Sequence, residues 1–253
     1  MQKPTTRFEN LLNMPVKPAK AMVLAAGLGV RMRPLTDRMP KPLVPVAGRP
    51  LLDHVLDKLA EAGVREAVVN VHYLPDQIID HVAARMLPRV TISDERDTVL
   101  GTGGGVVKAL PLLGNAPFFH VNADTMWIDG VRSNLARLAE TFDPVRMDIL
   151  LLMAPTTSSI GYHGRGDYAM AADGTLRKRR EHQVVPFVYA GVAILSPAIF
   201  EGAPAGEFSL TKMFDRANAQ ERLYGLRLDG LWMHVGTPDA IAAAEEAFLD
   251  SVA

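Results

Sequence analysis

A chain of 253 residues that is 48% hydrophobic can bury a large core, which excludes a disordered protein. Its formal net charge of −1 excludes a protein that coats nucleic acid or an anionic membrane, so any basic site must be local. It has no cysteine, which excludes disulfides, a thiol nucleophile and Cys-ligated metal sites.

Residues 1–18 carry Lys3, Arg7 and Glu9 and lack the apolar stretch of a secretory signal. They read as an N-terminal extension in which Phe8, Leu11 and Leu12 form a short docking helix before Pro15 and Pro18. There is also no apolar run of about 18 residues, so no membrane partner is expected and a cytoplasmic location is.

Lys20–Ala26 is an apolar run of strand length that stops at Gly27. Leu51–Ala62 sets Leu51, Leu52, Val55, Leu56 and Leu59 on one helical face and is followed by Gly63. Val64–Val71 is the next strand, Pro75–Met86 a helix and Val90–Ser93 a strand. Phe118–Val121 is a buried strand, Ile128–Phe142 a helix, and Met147–Met153 an apolar strand. This alternation predicts a parallel sheet covered on both faces, with ligands at the carboxyl ends of its strands.

Later strands are short: Tyr168–Met170, Val185–Tyr189, Gly191–Leu195, Leu223–Leu228 and Leu231–Val235. Pro197–Phe200, Leu210–Ala219 and Pro238–Leu249 read as helical. The expectation is an α/β fold: a Rossmann-like mixed, mostly parallel sheet flanked by helices and shared by both halves of one two-lobed domain, residues 19–253. Residues 19–153 form one lobe and 154–253 the other.

The chemistry concentrates in Leu24–Gly48, LAAGLGVRMRPLTDRMPKPLVPVAG. Gly27 and Gly29 let main-chain N–H groups approach an anion. Arg31, Arg33, Arg38 and Lys41 put four cations within eleven residues. Pro34, Pro40, Pro42 and Pro45 stiffen a segment too long for an ordinary connection. It fits neither the Walker A pattern nor G-x-G-x-x-G. A second candidate is Asp124, which follows Phe118–Val121 and is placed to hold a divalent cation at a strand end; a turn or cap aspartate is the plainer alternative.

These residues resemble the signature of the sugar-1-phosphate nucleotidylyltransferases, LAAGxGxRMxPLTxxxPKPLxPVxG, almost without interruption. The resemblance implies a GT-A-like nucleotidyltransferase fold, with a nucleoside triphosphate and a sugar 1-phosphate as partners. Leu24, Ala25, Ala26 and Gly27 would hold base and ribose, Gly29 and Arg31 the triphosphate, and Lys41 the α-phosphate. Arg31, Lys41 and Asp124 would be catalytic, with Asp124 binding Mg²⁺. The family carries a second metal-binding acid in W-x-D-x-G-T, where this chain reads Trp232-Met233-His234-Val235-Gly236-Thr237. His234 therefore departs from the pattern. It would bind through water, bind Mn²⁺ directly, or leave Asp124 to hold the metal with substrate phosphates, the reading preferred here.

Leu100–Gly105 is a glycine-rich turn before a helix over Val106–Leu110. By resemblance Thr102, Gly103 and Asn70 meet the nucleotide, and Gly104 the sugar. The segment Gly161–Tyr168, with HGRGD, and the segment Tyr189–Gly202 narrow the resemblance to bacterial N-acetylmuramate-1-phosphate uridylyltransferases of peptidoglycan recycling. Gly166, Asp167, Tyr189 and Gly191 would bind the sugar. The Glu-Lys-Pro motif of many relatives is missing; Arg177–Arg180 reads first as a solvated basic turn, one member of which could replace that lysine.

The expected reaction joins UTP to N-acetylmuramate 1-phosphate and releases pyrophosphate. The alternatives are a mannose-1-phosphate guanylyltransferase, a phosphocholine cytidylyltransferase and, from a different class, a non-catalytic nucleotide-sensing subunit. Monomer and dimer are both open.

Overall fold

In a computed structural model of the chain, which describes residues 17–252, nine strands form one sheet. The suggested docking helix at Phe8, Leu11 and Leu12 lies outside the described residues. Strands β1 (Lys20–Leu24), β4 (Glu66–Val71), β5 (Arg89–Asp94) and β6 (Phe118–Asn122) run parallel in the order β5-β4-β1-β6. The mostly apolar, buried runs of β1, β4 and β6 suit strands covered on both faces, while β5 lies at the sheet's edge and is largely exposed. Beyond β6 the sheet continues through β11 (Phe187–Leu195), antiparallel, to β8 (Ile149–Pro155) and β12 (Leu223–Arg227). The short β9 (Tyr168–Met170) and β10 (Leu176–Lys178) attach to the first part of β11. Only β10 and β11 oppose the other strands, so the sheet is mixed but mostly parallel, and one sheet serves both halves.

Helices α1 (Leu51–Glu61), α2 (Pro75–Val82) and α4 (Asn134–Thr141) cover one face. Helices α3 (Gly101–Leu113) and α5 (Thr211–Ala219) cover the other. A third, smaller apolar cluster lies apart from both. It joins Met32 and Val44 of the basic loop to Met126, Met233 and Ala244. Ala244 belongs to α6 (Pro238–Val252), so the last helix buttresses the loop. Glu245 on the same helix accepts the Ala47 N–H at 2.9 Å.

Three expectations need correction. The helix predicted over Ile128–Phe142 is instead a strand, β7 (Thr125–Asp129), followed by α4. Its apolar residues pair with β13 (Gly230–His234) in a separate two-stranded ribbon, and Ser133 caps the shorter helix. Val185–Tyr189 and Gly191–Leu195 merge into the single strand β11, whose register shifts at a bulge where Gly191 takes φ 79°. Finally, Gly101–Gly105 is not a turn before a helix but the first part of α3. A short hairpin, β2 (Pro45–Val46) and β3 (Arg49–Pro50), and strand β10, which follows the Ala172-Asp173-Gly174 turn, lie outside the expected elements.

Candidate active site

A cavity of about 290 Å³ opens at the carboxyl ends of β1, β4 and β6. Leu24, Ala25, Ala26, Gly27, Asn70 and Thr102 line it, whereas Gly29 and Arg31 do not. Lys41 and Asp124 line it too.

The basic loop reaches this cavity in a fixed shape. It is wound into 3₁₀ turns at Val30–Met32, Leu35–Asp37 and Lys41–Leu43. Gly29 has φ 65°, and a Cβ there would press on Thr36 and Lys41, so its role is to let the loop fold back on itself. Thr36 Oγ1 donates to Gly29 O at 2.8 Å, and Tyr73 Oη donates to Thr36 O at 2.8 Å. Met32 is fully buried in the third cluster and anchors the first turn. Arg31, its neighbour, is exposed.

Asp124 occupies the turn between β6 and β7. Lys41 donates from Nζ to Asp124 Oδ2 at 2.6 Å, with the lysine side chain only 10% exposed. Asp124 Oδ1 has no hydrogen-bond partner among the described residues. The β7–β13 ribbon pairs His234 with Thr125, which puts the imidazole beside Asp124. His234 is held below its ordinary pKa by burial, then by the positive charges of Lys41 and Arg31, while Asp124 opposes them. Arg31, Lys41 and Asp124 thus all act electrostatically on His234.

Asn70 is buried and acts on the protein itself: Oδ1 accepts the Ala25 N–H at 2.7 Å and Nδ2 donates to Glu95 Oε1 at 2.9 Å. It sets the shape of the Leu24–Gly27 backbone. Glu95, absent from the sequence-based candidates, also lines the cavity, and burial raises its pKa. The strand-end rule, applied to β5 as it was to β6, points to this residue. His72 and Asn122 line the cavity as well.

Gly103 and Gly104 do not line this cavity. A Cβ at Gly103 would overlap the Phe208 ring, and one at Gly104 would overlap Gly206 O. The glycines are there because α3 packs closely on the 206–208 segment, which is a different reason from ligand approach. Gly105 similarly faces Asn70 Nδ2 and Glu95 Oε1.

Asp167 and Tyr189 line a separate cavity of about 190 Å³ with Arg179. Asp167 Oδ2 accepts the Tyr189 N–H at 2.9 Å. Tyr189 Oη is 3.0 Å from His120 Nδ1. Gly166 and Gly191 are framework positions: both have positive φ, and a Cβ at Gly191 would crowd Asn122. The segment between the cavities is pinned by Tyr162, whose Oη accepts the Gly166 N–H and whose ring lies against Trp232 and His234.

Comparison with known proteins follows the same lines. The family described as the MobA-like NTP transferase domain matches residues 21–189. The chain is 49% identical to the N-acetylmuramate alpha-1-phosphate uridylyltransferase of Caulobacter vibrioides, over 90% of this chain and 96% of that protein. It is 35% identical to the protein of the same description from Neisseria meningitidis serogroup B, over 86% and 93%. Mannose-1-phosphate guanyltransferase 2 of Candida glabrata is 30% identical over 92% of this chain and 65% of that one. Among solved structures, UDP-glucose pyrophosphorylase complexed with UDP-glucose superposes with a TM-score of 0.76 at 18% identity, covering 92% of this chain and 99% of that one, a likeness of fold.

Proposed function

The chain belongs to the MobA-like NTP transferase family and is a nucleotidyltransferase; on that premise we propose that it transfers uridylyl from UTP to N-acetylmuramate 1-phosphate. The observation that carries the reading is the Lys41–Asp124 contact at the wall of a cavity lined by the Leu24–Gly27 backbone. The share of sequence held in common with the Caulobacter uridylyltransferase supports the choice of substrates.

A phosphate oxygen of the sugar 1-phosphate attacks the α-phosphorus of UTP. The bond from that phosphorus to the oxygen bridging to the β-phosphate breaks, and pyrophosphate leaves. The attacking phosphate is ionised near neutral pH, so no general base is required. Catalysis is positioning and charge stabilisation. Lys41, desolvated at the cavity wall, neutralises negative charge on the α-phosphate, and Arg31 does so from the loop's outer edge.

The donor set fits magnesium held jointly with substrate. Among the described residues no three His, Cys, Asp or Glu side chains cluster closely enough to hold a metal alone. Asp124 Oδ1, free of protein partners among the described residues, fits a cation that takes one carboxylate plus phosphate oxygens and waters. When bound, magnesium would spread the charge of the phosphates. Glu95 bears on the base. With Oε1 engaged by Asn70, one carboxylate oxygen remains, a single acceptor that suits the one imide N–H of uracil. Guanine would offer two adjacent donor groups.

A cytoplasmic setting and a place in cell-wall recycling belong to this proposal. No described helix is long and apolar enough to cross a membrane. The test is pyrophosphate release across the four nucleoside triphosphates and a panel of sugar 1-phosphates, including mannose 1-phosphate. Highest kcat/KM for UTP with N-acetylmuramate 1-phosphate is expected; highest turnover with GTP and mannose 1-phosphate would overturn the reading.

A further inference from the structure

The second cavity shares no lining residue with the first. Two basic residues line it, and their charges are handled differently. Lys178 is ion-paired with Asp215 at 2.6 Å. Arg179 is half-buried and has no carboxylate partner among the described residues. Its Nε donates to Gly166 O at 3.0 Å, and Nη1 to Arg180 O at 3.3 Å and Gln183 O at 3.4 Å. These acceptors are neutral main-chain carbonyls. They fix the guanidinium in place without cancelling its charge, and Nη2 has no partner among the described residues.

Asp167 lines the same cavity. Its Oδ2 is held by the Tyr189 N–H, and Oδ1 accepts no hydrogen bond from the described residues. The cavity therefore presents one fixed cation with no direct carboxylate contact among the described residues and one fixed carboxylate acceptor. A ligand that satisfies both carries an anion together with hydroxyl or amide hydrogens. In the proposed reaction the sugar's phosphate attacks the α-phosphate held beside Lys41 and Asp124, at the other cavity, so the anion read here is a second one.

We propose that Arg179 is a specificity-determining residue that binds the carboxylate of an acidic sugar 1-phosphate while Asp167 accepts from the sugar's hydroxyl or amide groups. This rests on the function proposed above and names the feature by which N-acetylmuramate differs from N-acetylglucosamine: the lactyl carboxylate. A planar guanidinium suits a carboxylate through paired N–H donors.

The test compares wild type, Arg179→Gln and Arg179→Lys, as full-length protein with saturating UTP, on N-acetylmuramate 1-phosphate and N-acetylglucosamine 1-phosphate. Arg179→Gln should lower kcat/KM for the muramate roughly 10- to 100-fold, the range for a hydrogen bond to a charged group. The glucosamine rate should stay within about twofold, as expected when no contact to that substrate is lost, and Arg179→Lys should recover part of the loss. Calorimetric binding of UDP-N-acetylmuramate and UDP-N-acetylglucosamine makes the same comparison without turnover. An equal fall for both sugars would mean that Arg179 only clasps its loop or meets the phosphate, and would overturn the proposal. So would an unchanged muramate rate. Wild-type protein that accepts only uncharged sugars would overturn both this proposal and the function on which it rests.

Discussion

Lys41 Nζ and Asp124 Oδ2 are 2.6 Å apart although 83 residues separate them in sequence. One comes from a 3₁₀ turn of the basic loop, the other from the turn after β6. In this pairing each charge compensates the other at the cavity wall, and substrate phosphates and a divalent ion can divide them. Lys41→Ala and Asp124→Ala should each lower kcat by roughly 10²- to 10³-fold, the usual loss when one transition-state charge partner is removed. The double variant should lose less than the product of the two, since the residues act together. Pyrophosphate-release kinetics, with circular dichroism to confirm folding, measure both. Near-normal rates in the two single variants would sink the assignment.

His234 stands where relatives are expected to carry an acid, and burial together with two nearby cations disfavours its protonation. A neutral imidazole is a poor magnesium ligand, so His234→Ala should keep magnesium-dependent activity within about tenfold of wild type. His234→Asp assayed with Mg²⁺ and with Mn²⁺ completes the test. A large change in the ratio of the two rates would give this position a direct metal role, and no change in either would remove it from metal binding.

His120 is fully buried in β6 beside Tyr189, its Nε2 has no hydrogen-bond partner among the described residues, and burial depresses its pKa to about 4. The unfolded chain takes up this proton near pH 6.5, the folded chain only near 4. Between these values the unfolded state holds more protons, so stability falls as pH drops through the window. The contribution between pH 7 and pH 5 is about 2 kcal/mol. Urea denaturation at the two pH values should show a loss smaller by that amount in His120→Leu than in wild type. Equal losses in the two proteins would contradict the burial of a neutral imidazole.

Gly27 and Gly103 separate two uses of glycine. A Cβ at Gly27, which lines the cavity, meets nothing within 4 Å, whereas one at Gly103 overlaps Phe208. Gly103→Ala should destabilise the fold by about 1–3 kcal/mol, the cost of overpacking. Gly27→Ala should melt near the wild-type temperature but raise KM for the triphosphate. Thermal melts and nucleotide titrations check both, and a wild-type melting temperature for Gly103→Ala would refute the packing argument.

Much of the site was legible because its signals are local. An apolar run ending at Gly27, a stiff segment bearing Arg31 and Lys41, and an acid after Phe118–Val121 each declare themselves within a few residues. The strand-end rule then places Asp124 and the loop together. Glu95 was missed because its neighbours Asp94, Arg96 and Asp97 make it look like part of a solvated charge run. Its burial depends on Asn70, 25 residues away. The stretch around Thr125–Asp129 misled for a related reason. Its apolar residues fit a helix equally well, and only pairing with Gly230–His234, about a hundred residues later, makes it a strand.

By itself, the amino-acid order determined the element types with strong periodicity, the mixed sheet and which charged residues are candidates for the site, because these follow from backbone preference and side-chain chemistry. Tertiary structure alone decided which groups are desolvated, which glycines serve packing, and that Lys178 is ion-paired with Asp215 while Arg179 meets only main-chain carbonyls among the described residues. Those outcomes depend on distances between residues far apart in the chain, and electrostatic strength changes with each such distance and with the water it excludes.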